Sequence, residues 1–170
     1  MEYEMEIRRV TDDGERQRAA RWILEALPDW FGIPEAREEY ISESRAKIFF
    51  CAYRQEQRLA VSVNHFFPLY QPIGFLYLKE TGKATVELAV MGVLKEYHRQ
   101  GIGKELFRQA KAAALALGYS FMQVKTVQMG RYEDYDRTNL FYLSLGFQEF
   151  EVFPTLWDEC NPCQVYVMAL

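Results

Sequence analysis

A strand, a basic loop with two glycines and a helix follow one another directly in the segment that ends at Lys104. Gly101 and Gly103 let the backbone approach a ligand closely, and the first turn of a helix presents free N–H groups at the positive end of its dipole. His98 and Arg99 add further hydrogen-bond donors. The segment therefore predicts an anion site, for which a pyrophosphate is a well-suited ligand. An ordinary strand-to-helix turn with a glycine pair is the alternative.

Three phosphate-binding patterns compete for this loop. A P-loop requires a serine or threonine after its glycine–lysine pair, where this chain has Glu105. A dinucleotide-binding fingerprint requires a third glycine where this chain has Leu106. The third pattern, Q/R-x-x-G-x-G/A after a strand, fits best, with His98 in place of its first residue.

This third pattern resembles the acetyl-CoA loop of the GNAT family of N-acetyltransferases. The resemblance extends over about residues 48–170 and is most specific at 87–118 and 139–147. It implies acetyl-CoA as the co-substrate, with its pantetheine arm between two splayed parallel strands, here residues 84–93 and 120–127.

The same resemblance assigns a set of residues to acetyl-CoA. They are Met91, Gly92, Val93, His98, Arg99, Gln100, Gly101, Ile102, Gly103 and Lys104. In that family, backbone groups of the strand before the loop contact the pantetheine arm. A backbone N–H near Met91 or Val93 is the expected donor to the thioester oxygen. Because His98 departs from the pattern, Arg99 is expected to contact the phosphates as well.

Transfer of an acetyl group to an amine requires a base, because an alkylammonium group with a pKa of about 10.4 has no free lone pair. Glu87 lies on the strand before the loop, and the alternation of side chains predicts that it shares a face with Ala89, Met91 and Val93. In the histone-acetyltransferase branch of the family, a carboxylate base lies at this distance before the first loop glycine. We therefore expect Glu87 to accept the proton, directly or through water. A glutamate that faces solvent at a strand edge is the alternative.

Tyr142 is the candidate acid. Together with Gly146 and Phe147 it resembles the family's Y-x-x-x-G-F signature, in which the tyrosine hydrogen-bonds or protonates the CoA sulfur. A phenol with a pKa of about 10 remains a donor at neutral pH. Packing inside a helix core is the alternative. Tyr135 stands where the family often has asparagine, so Asn139 is expected to approach the CoA arm instead.

The acceptor amine is expected between the first two helices, a connection that often covers the acceptor site in this fold. The aromatic residues expected to line that groove are Trp30, Phe31, Phe66, Phe67, Tyr70 and Tyr77. Trp30, Phe31 and Tyr77 are the ones that we assign to substrate binding. The acidic residues expected to attract an ammonium group are Glu133, Asp134 and Asp136. Core packing and a solvated acidic loop are the alternatives.

Strand and helix patterns alternate along the chain and predict a single N-acetyltransferase domain over residues 1–170. The expected strands lie at 4–10, 48–53, 59–67, 74–79, 84–93, 120–127, 148–153 and 164–168. The expected helices are one that ends before Pro28 and three at 34–42, 104–117 and 138–145. The resemblance implies an α/β (α+β) fold with a mixed, mostly antiparallel central sheet, helices on both faces and a splay between the two central parallel strands.

The composition excludes several classes of partner. The formal net charge is −4 with no dense cluster of Lys or Arg, which argues against nucleic acid. No apolar run approaches the roughly 20 residues that a membrane span needs. The odd number of cysteines and the charged N-terminal stretch indicate a cytoplasmic protein with reduced thiols. Cys160 and Cys163 have no second pair to complete a zinc site, so we expect no metal.

The sequence thus favours an acetyl-CoA-dependent N-acetyltransferase that acts by direct transfer on a primary amine of a small molecule or peptide. A non-catalytic module that senses acyl-CoA with the same fold is the main alternative. A dinucleotide oxidoreductase is disfavoured by the missing third glycine. The stretch at 58–71 resembles an insertion that would form a strand pair, a substrate lid or a dimer contact, and a homodimer is one expected assembly.

Overall fold

The computed structural model describes residues 5–55 and 70–170. In these residues, seven strands form one sheet in the order β1-β2-β3-β4-β5-β7-β6. The strands are β1 (Met5–Val10), β2 (Ile48–Gln55), β3 (Tyr70–Gly82), β4 (Thr85–Val93), β5 (Phe121–Val127), β6 (Gln148–Asp158) and β7 (Asn161–Ala169). The α-helices are α1 (Asp13–Glu25), α2 (Pro34–Glu43), α3 (Ile102–Ala116) and α4 (Glu133–Ser144).

Neighbouring strands of this sheet run antiparallel except for β4 and β5, which are parallel. Their pairing covers only Thr85–Leu88 against Phe121–Val124, although β4 continues to Val93 and β5 to Val127. The two central strands therefore separate after Leu88 and Val124. The predicted fold class, including the splay, is confirmed.

A bulge in β4 lies at the point of separation. Leu88 is opposite Leu78 in β3, but Val90 is opposite Tyr77, so Ala89 has no partner of its own. One extra residue shifts the alternation of all side chains beyond it. Glu87 is paired with Lys79, whose Nζ lies 3.0 Å from Glu43 Oε1 in α2, so Glu87 faces α1 and α2.

Met91, on the far side of the bulge, faces α3 instead. A Cβ atom added at Gly103 would lie 3.1 Å from Met91 Cε. The expectation that Glu87 and Met91 share a face is therefore wrong, because the bulge between them inverts the pattern. Gly92 faces α1, where Ile23 and Leu27 pack.

Most helix ends follow the sequence signals. Asp12 Oδ1 accepts a hydrogen bond of 2.7 Å from Glu15 N and so caps α1. Pro34 occupies the first turn of α2. Two helices begin earlier than predicted: α3 at Ile102, directly after the loop glycine, and α4 at Glu133, within the segment predicted to be a loop.

The strand predictions differ from the structure at two places. Pro72 does not break β3, which runs through it from Tyr70, and β6 and β7 extend until a tight turn at Glu159 and Cys160 joins them. The predicted strand at 59–67 and nearly all of the predicted insertion lie outside the described residues.

The surface of the described residues shows two further features. No helix there combines the length and the apolar composition that a bilayer span requires. The edge strand β6 is exposed along its length, with Phe150, Leu156 and Trp157 among its exposed side chains.

The close packing of α1 on β4 gives a prediction. A Cβ added at Gly92 would lie 3.0 Å from both Ile23 Cγ2 and Leu27 Cδ1. We expect Gly92→Ala to lower the free energy of unfolding by about 1–3 kcal/mol, because overpacking forces the neighbours to shift. Gly82→Ala is the matched control, since nothing lies within 4 Å of its added Cβ. Urea denaturation measures both, and equal midpoints would contradict this packing.

Candidate active site

A cavity of about 1130 Å³ lies where β4 and β5 separate. It is large for a ligand pocket, which typically measures roughly 300–1,000 Å³. Its wall includes most of the residues that the sequence predicted: Trp30, Phe31, Tyr77, Glu87, Met91, Gly92, Val93, His98, Arg99, Gly101, Ile102, Gly103, Lys104 and Tyr142. The side chains of Gln100 and Asn139 are not part of this wall.

The glycine loop forms one end of the cavity. Arg99 and Gly101 both have left-handed backbone conformations, with φ of 60° and 82°. Such residues curl a loop so that its N–H groups point to one side, and Gly101 adopts this conformation without steric cost. The first backbone bond into α3 is donated by Glu105 N to Gly101 O at 3.0 Å. The N–H groups of residues 102–104 therefore have no partner within the helix and are open to an anion.

His98 closes the loop onto the end of β4. Its Nε2 lies 2.7 Å from Val93 O, and its ring meets the edge of Trp30 with centroids 6.1 Å apart. Arg99 and Lys104 form no ion pair with any residue in the described ranges. They are therefore the loop's charged groups that remain for a phosphate.

Asn139 has a structural role in place of the predicted contact. Its Nδ2 donates to Val127 O at 2.9 Å and to Tyr135 O at 2.7 Å, and its Oδ1 accepts from Tyr166 Oη at 2.6 Å. One of these donated bonds ties α4 to β5 and the other lies within α4, so the side chain has no N–H left for a ligand. Gln100 Nε2 donates to Glu96 O at 3.0 Å, and this side chain is exposed.

Glu87 forms an ion pair that the sequence did not predict. Lys125 Nζ in β5 lies 2.8 Å from Glu87 Oε2, and the two side chains are 27% and 12% exposed. Both line the cavity. The pair forms because Glu87 is level with Gln123 in the parallel register and Lys125 follows on the same face. That register is set by tertiary structure, so no local sequence signal indicates it.

Tyr142 is buried at the cavity wall, and burial raises the pKa of its phenol. Its Oη makes no hydrogen bond to any described residue. The ring packs against Phe141, Phe147 and Tyr166, with centroids 5.7, 6.0 and 6.5 Å away. The hydroxyl is thus a fixed donor without a protein acceptor in the part of the chain that the structure describes.

Thr126 is a second buried hydroxyl in this wall, and the sequence reading missed it. Its Oγ1 has no hydrogen-bond partner among the described residues, and the residue is only 4% exposed. Because side chains alternate along β5, Thr126 lies on the other face of the sheet from Lys125 and on the same face as Val124. That face is the one covered by α4, because Tyr166, the β7 partner of Val124, hydrogen-bonds to Asn139. A buried polar group without a partner costs about 1–3 kcal/mol, so it calls for a ligand or another explanation.

A family model for the acetyltransferase (GNAT) domain matches residues 45–149. The chain belongs to the GNAT acetyltransferase family. No curated protein matches the chain.

Solved structures with similar coordinates are GNAT proteins as well. A GNAT-family protein from Desulfovibrio desulfuricans is 15% identical, with a TM-score of 0.73 over 98% of this chain and 99% of its own. A GNAT acetyltransferase from Elizabethkingia anophelis, solved with acetyl-CoA bound, is 16% identical, with a TM-score of 0.64 over 98% of both chains. An aminoglycoside 6'-N-acetyltransferase complexed with coenzyme A is 15% identical, with a TM-score of 0.66 over 96% of both chains. At these identities the likeness shows the fold.

The connection between α1 and α2 forms another part of the wall of this GNAT cavity. Trp30 Nε1 donates to Thr138 Oγ1 at 3.2 Å, and Tyr135 Oη donates to Trp30 O at 2.9 Å, so α4 holds this connection in place. Burial raises the pKa of Tyr135 to about 12. Phe31 meets Tyr40 edge to face at 6.1 Å.

Tyr77 contributes its ring to the wall but not a free hydroxyl. The residue has no exposed surface, and its Oη donates to Tyr40 O at 3.3 Å. Burial raises its pKa, so the phenol stays neutral. Tyr70 lies at the start of β3 and outside this wall, whereas Phe66 and Phe67 lie outside the described residues.

The acidic residues near α4 of this GNAT domain are already paired. Glu133 forms an ion pair with Arg137, and Asp134 Oδ1 lies 3.4 Å from the same guanidinium group. Asp136 Oδ1 accepts a hydrogen bond of 2.7 Å from Gly130 N. The expectation that this acidic cluster attracts an ammonium group is therefore not supported by its contacts.

The three cysteines form no disulfide bond. Cys51, Cys160 and Cys163 are free thiols, and burial raises the pKa of Cys51 to about 12 and that of Cys163 to about 11. Among the described residues, no group of His, Cys, Asp and Glu could hold a metal ion.

The orphaned hydroxyl of Thr126 gives a prediction about stability. We expect Thr126→Val to leave the free energy of unfolding unchanged or to raise it by about 1 kcal/mol, because the change removes a buried group without a partner. Asn139→Ala is the contrasting variant and should lower it by about 1–3 kcal/mol, since it leaves buried partners unpaired. Guanidinium unfolding without ligand measures both. A loss of stability in Thr126→Val equal to that in Asn139→Ala would show that Thr126 has a structural bond.

Proposed function

We propose that this GNAT protein is an N-acetyltransferase that moves the acetyl group of acetyl-CoA directly to a primary amine of a small molecule or peptide. The observation that carries the proposal is the cavity at the separation of β4 and β5. The glycine loop, the carboxylate of Glu87 and the hydroxyl-bearing side chain of Tyr142 all line this one cavity.

The residues present fit acetyl-CoA. The N–H groups at the start of α3 would bind the diphosphate, with Arg99 and Lys104 beside them. The cavity is large enough for the pantetheine arm, and β4 has no pairing with β5 at Met91 and Val93, although Val93 O is contacted by His98 Nε2. Thr126 Oγ1 would donate to a carbonyl oxygen of the arm or of the thioester.

The contact proposed for Thr126 also predicts an effect on binding. The variant Thr126→Val should bind acetyl-CoA several-fold more weakly than wild type although its free energy of unfolding is no lower. If Thr126 served packing alone, acetyl-CoA affinity would not fall while stability was kept.

In the proposed reaction, a base, a backbone donor and an acid come from groups on the two faces of the sheet. Glu87 would accept the proton of the substrate ammonium, directly or through water, which frees the nitrogen lone pair to bond to the acetyl carbon. A backbone N–H of β4 would stabilise the charge that develops on the thioester oxygen. Tyr142 would donate its proton to the sulfur as the carbon–sulfur bond breaks. The nitrogen loses its second proton as the amide forms, and this proton restores Tyr142. The products are the N-acetyl amide, the free thiol of CoA and the one proton taken up by Glu87.

An acyl-CoA sensor with the same fold would bind the carrier without turnover. The test of the proposed function therefore measures both events: thermal stabilisation by acetyl-CoA, CoA, NADH and ATP, and thiol release from acetyl-CoA across a panel of amines. Stabilisation by the CoA compounds with thiol release supports the proposal. Stabilisation without release on any amine would identify a sensor, and stabilisation by NADH alone would overturn the carrier.

A variant of the loop tests where the carrier binds. A Cβ added at Gly103 would lie 3.0 Å from Phe141 Cζ and 3.1 Å from Met91 Cε, both in the cavity wall. We expect Gly103→Val to weaken acetyl-CoA binding by about tenfold or more, or 1.4 kcal/mol, because the side chain fills the approach to the helix start. Calorimetric titration measures the affinity, with Gly82→Val as the control outside the cavity. Unchanged affinity for Gly103→Val would place the carrier elsewhere.

The role of Tyr142 gives a kinetic prediction. Tyr142→Phe should lower kcat by about 10²-fold with little change in acetyl-CoA affinity, because the lost group acts on the leaving sulfur. Since burial raises the pKa of Tyr142, its hydroxyl keeps its proton beyond the ordinary value of about 10, and the rate should not fall from this cause below that pH. Tyr166→Phe is the control, as its hydroxyl bonds to Asn139 away from the cavity. Equal kcat for wild type and Tyr142→Phe would remove the acid assignment.

A further inference from the structure

A row of four charges of alternating sign lies in the cavity wall around Glu87. Glu43 lies 3.0 Å from Lys79, and Glu87 lies 2.8 Å from Lys125. Lys79 and Glu87 are cross-strand partners in β3 and β4, so the two pairs lie side by side. All four side chains line the cavity. The wall that meets the acceptor is therefore charged but has no net charge.

This neutrality disfavours a polycationic acceptor. The acidic residues of the cavity wall among the described residues are Glu43, Glu87 and Asp134. Each has a Lys or Arg nitrogen within 4 Å. Besides the two pairs just described, Asp134 lies 3.4 Å from Arg137. A polyamine would place several ammonium groups among carboxylates that are already neutralised, and it would lie beside two lysines that repel it.

The unused hydrogen-bond donors and acceptor of the Glu87–Lys125 pair fit a different ligand. An ammonium group has three N–H donors, and Lys125 uses one of them, on Glu87 Oε2. Glu87 Oε1 accepts no hydrogen bond from a described residue. The pair thus presents the acceptor Oε1 of Glu87 next to the two unused N–H donors of Lys125, whose Nζ lies 2.8 Å from the other carboxylate oxygen.

We infer that the acceptor is a free amino acid or a similar zwitterion, whose ammonium group binds Glu87 and whose neighbouring carboxylate binds Lys125. The inference rests on the proposed acetyl transfer and names its substrate class. The match is geometric as well as electrostatic, because the amine and carboxylate of an α-amino acid are separated by about the same distance as the ends of the ion pair that they face.

The substrate carboxylate would also help Glu87 to accept the proton of the substrate ammonium group. As it shares the ammonium group of Lys125, it weakens the hold of Lys125 on Glu87 Oε2. Glu87 then accepts the proton of the substrate ammonium, and the neutral amine faces the thioester. An amine without a carboxylate leaves the Glu87–Lys125 bond intact and so meets a carboxylate that is already engaged.

The cavity wall also contains aromatic side chains that would contact the substrate side chain. They are Trp30, Phe31, Tyr40 and Trp157. Such a wall favours an apolar or aromatic side chain.

The test compares matched acceptors. Phenylalanine, leucine and serine are each assayed beside the corresponding amide and decarboxylated amine, with thiol release from acetyl-CoA as the readout. We expect kcat/KM for at least one amino acid to exceed that of its amide and its amine by about tenfold or more, because a site built for a polar group rejects analogues that lack it.

Variants of Lys125 identify the group that reads the carboxylate. Lys125→Met should reduce the preference for the amino acid over its amide to about one, mainly through KM, and Lys125→Arg should restore part of it. Lys83→Met, an exposed residue in the turn between β3 and β4, is the control and should keep the wild-type preference.

Each other outcome contradicts the inference. Equal or faster turnover of the amides or amines would overturn it, as would a preference that persists in Lys125→Met. Failure of all nine acceptors while acetyl-CoA still stabilises the protein and another amine is acetylated would overturn the substrate class and leave the proposed function standing. Absence of stabilisation by acetyl-CoA would overturn the proposed function itself.

Discussion

The separation of β4 from β5 is the constraint on which the whole site depends. Parallel pairing ends after Leu88 and Val124, and the extra residue Ala89 bends β4 away at the same point. Strands that part leave backbone N–H and C=O groups without ladder partners, and a fold keeps such groups only where something else can satisfy them. The gap thus supplies both the space for a ligand and the polar edge that orients it.

The bulge also distributes the chemistry between the two faces of the sheet. Met91 and Thr126 face α3 and α4, next to the glycine loop and Tyr142, whereas Glu87 and Lys125 face α1 and α2. Without the extra residue, Glu87 and Met91 would lie on one face. In the proposed two-substrate reaction, this arrangement would let the carrier and the acceptor approach from opposite sides and meet where the sheet is open.

The sequence predicted what local patterns determine. Glycines at 101 and 103 and the alternation of apolar residues located the loop, α3 and β4, and the family resemblance implied the mixed sheet with its splay. The face of Glu87 could not be predicted, because a bulge is a property of pairing with β3 rather than of β4 itself. The contacts of Lys125 and Asn139 likewise depend on the register of strands and helices distant in sequence. No local pattern indicated Thr126, because a single threonine in a strand gives no signal until its burial and its lack of a hydrogen-bond partner are known.

The distribution of tryptophans gives the cavity an intrinsic optical label. Of the chain's three indoles, Trp30 and Trp157 line the cavity, whereas Trp22 lies half-exposed on α1. A ligand in the cavity would cover the parts of Trp30 and Trp157 that face it and would leave Trp22 in solvent. The emission of the unmodified protein should therefore report occupancy, with Trp22 as a constant background and no need for an attached dye.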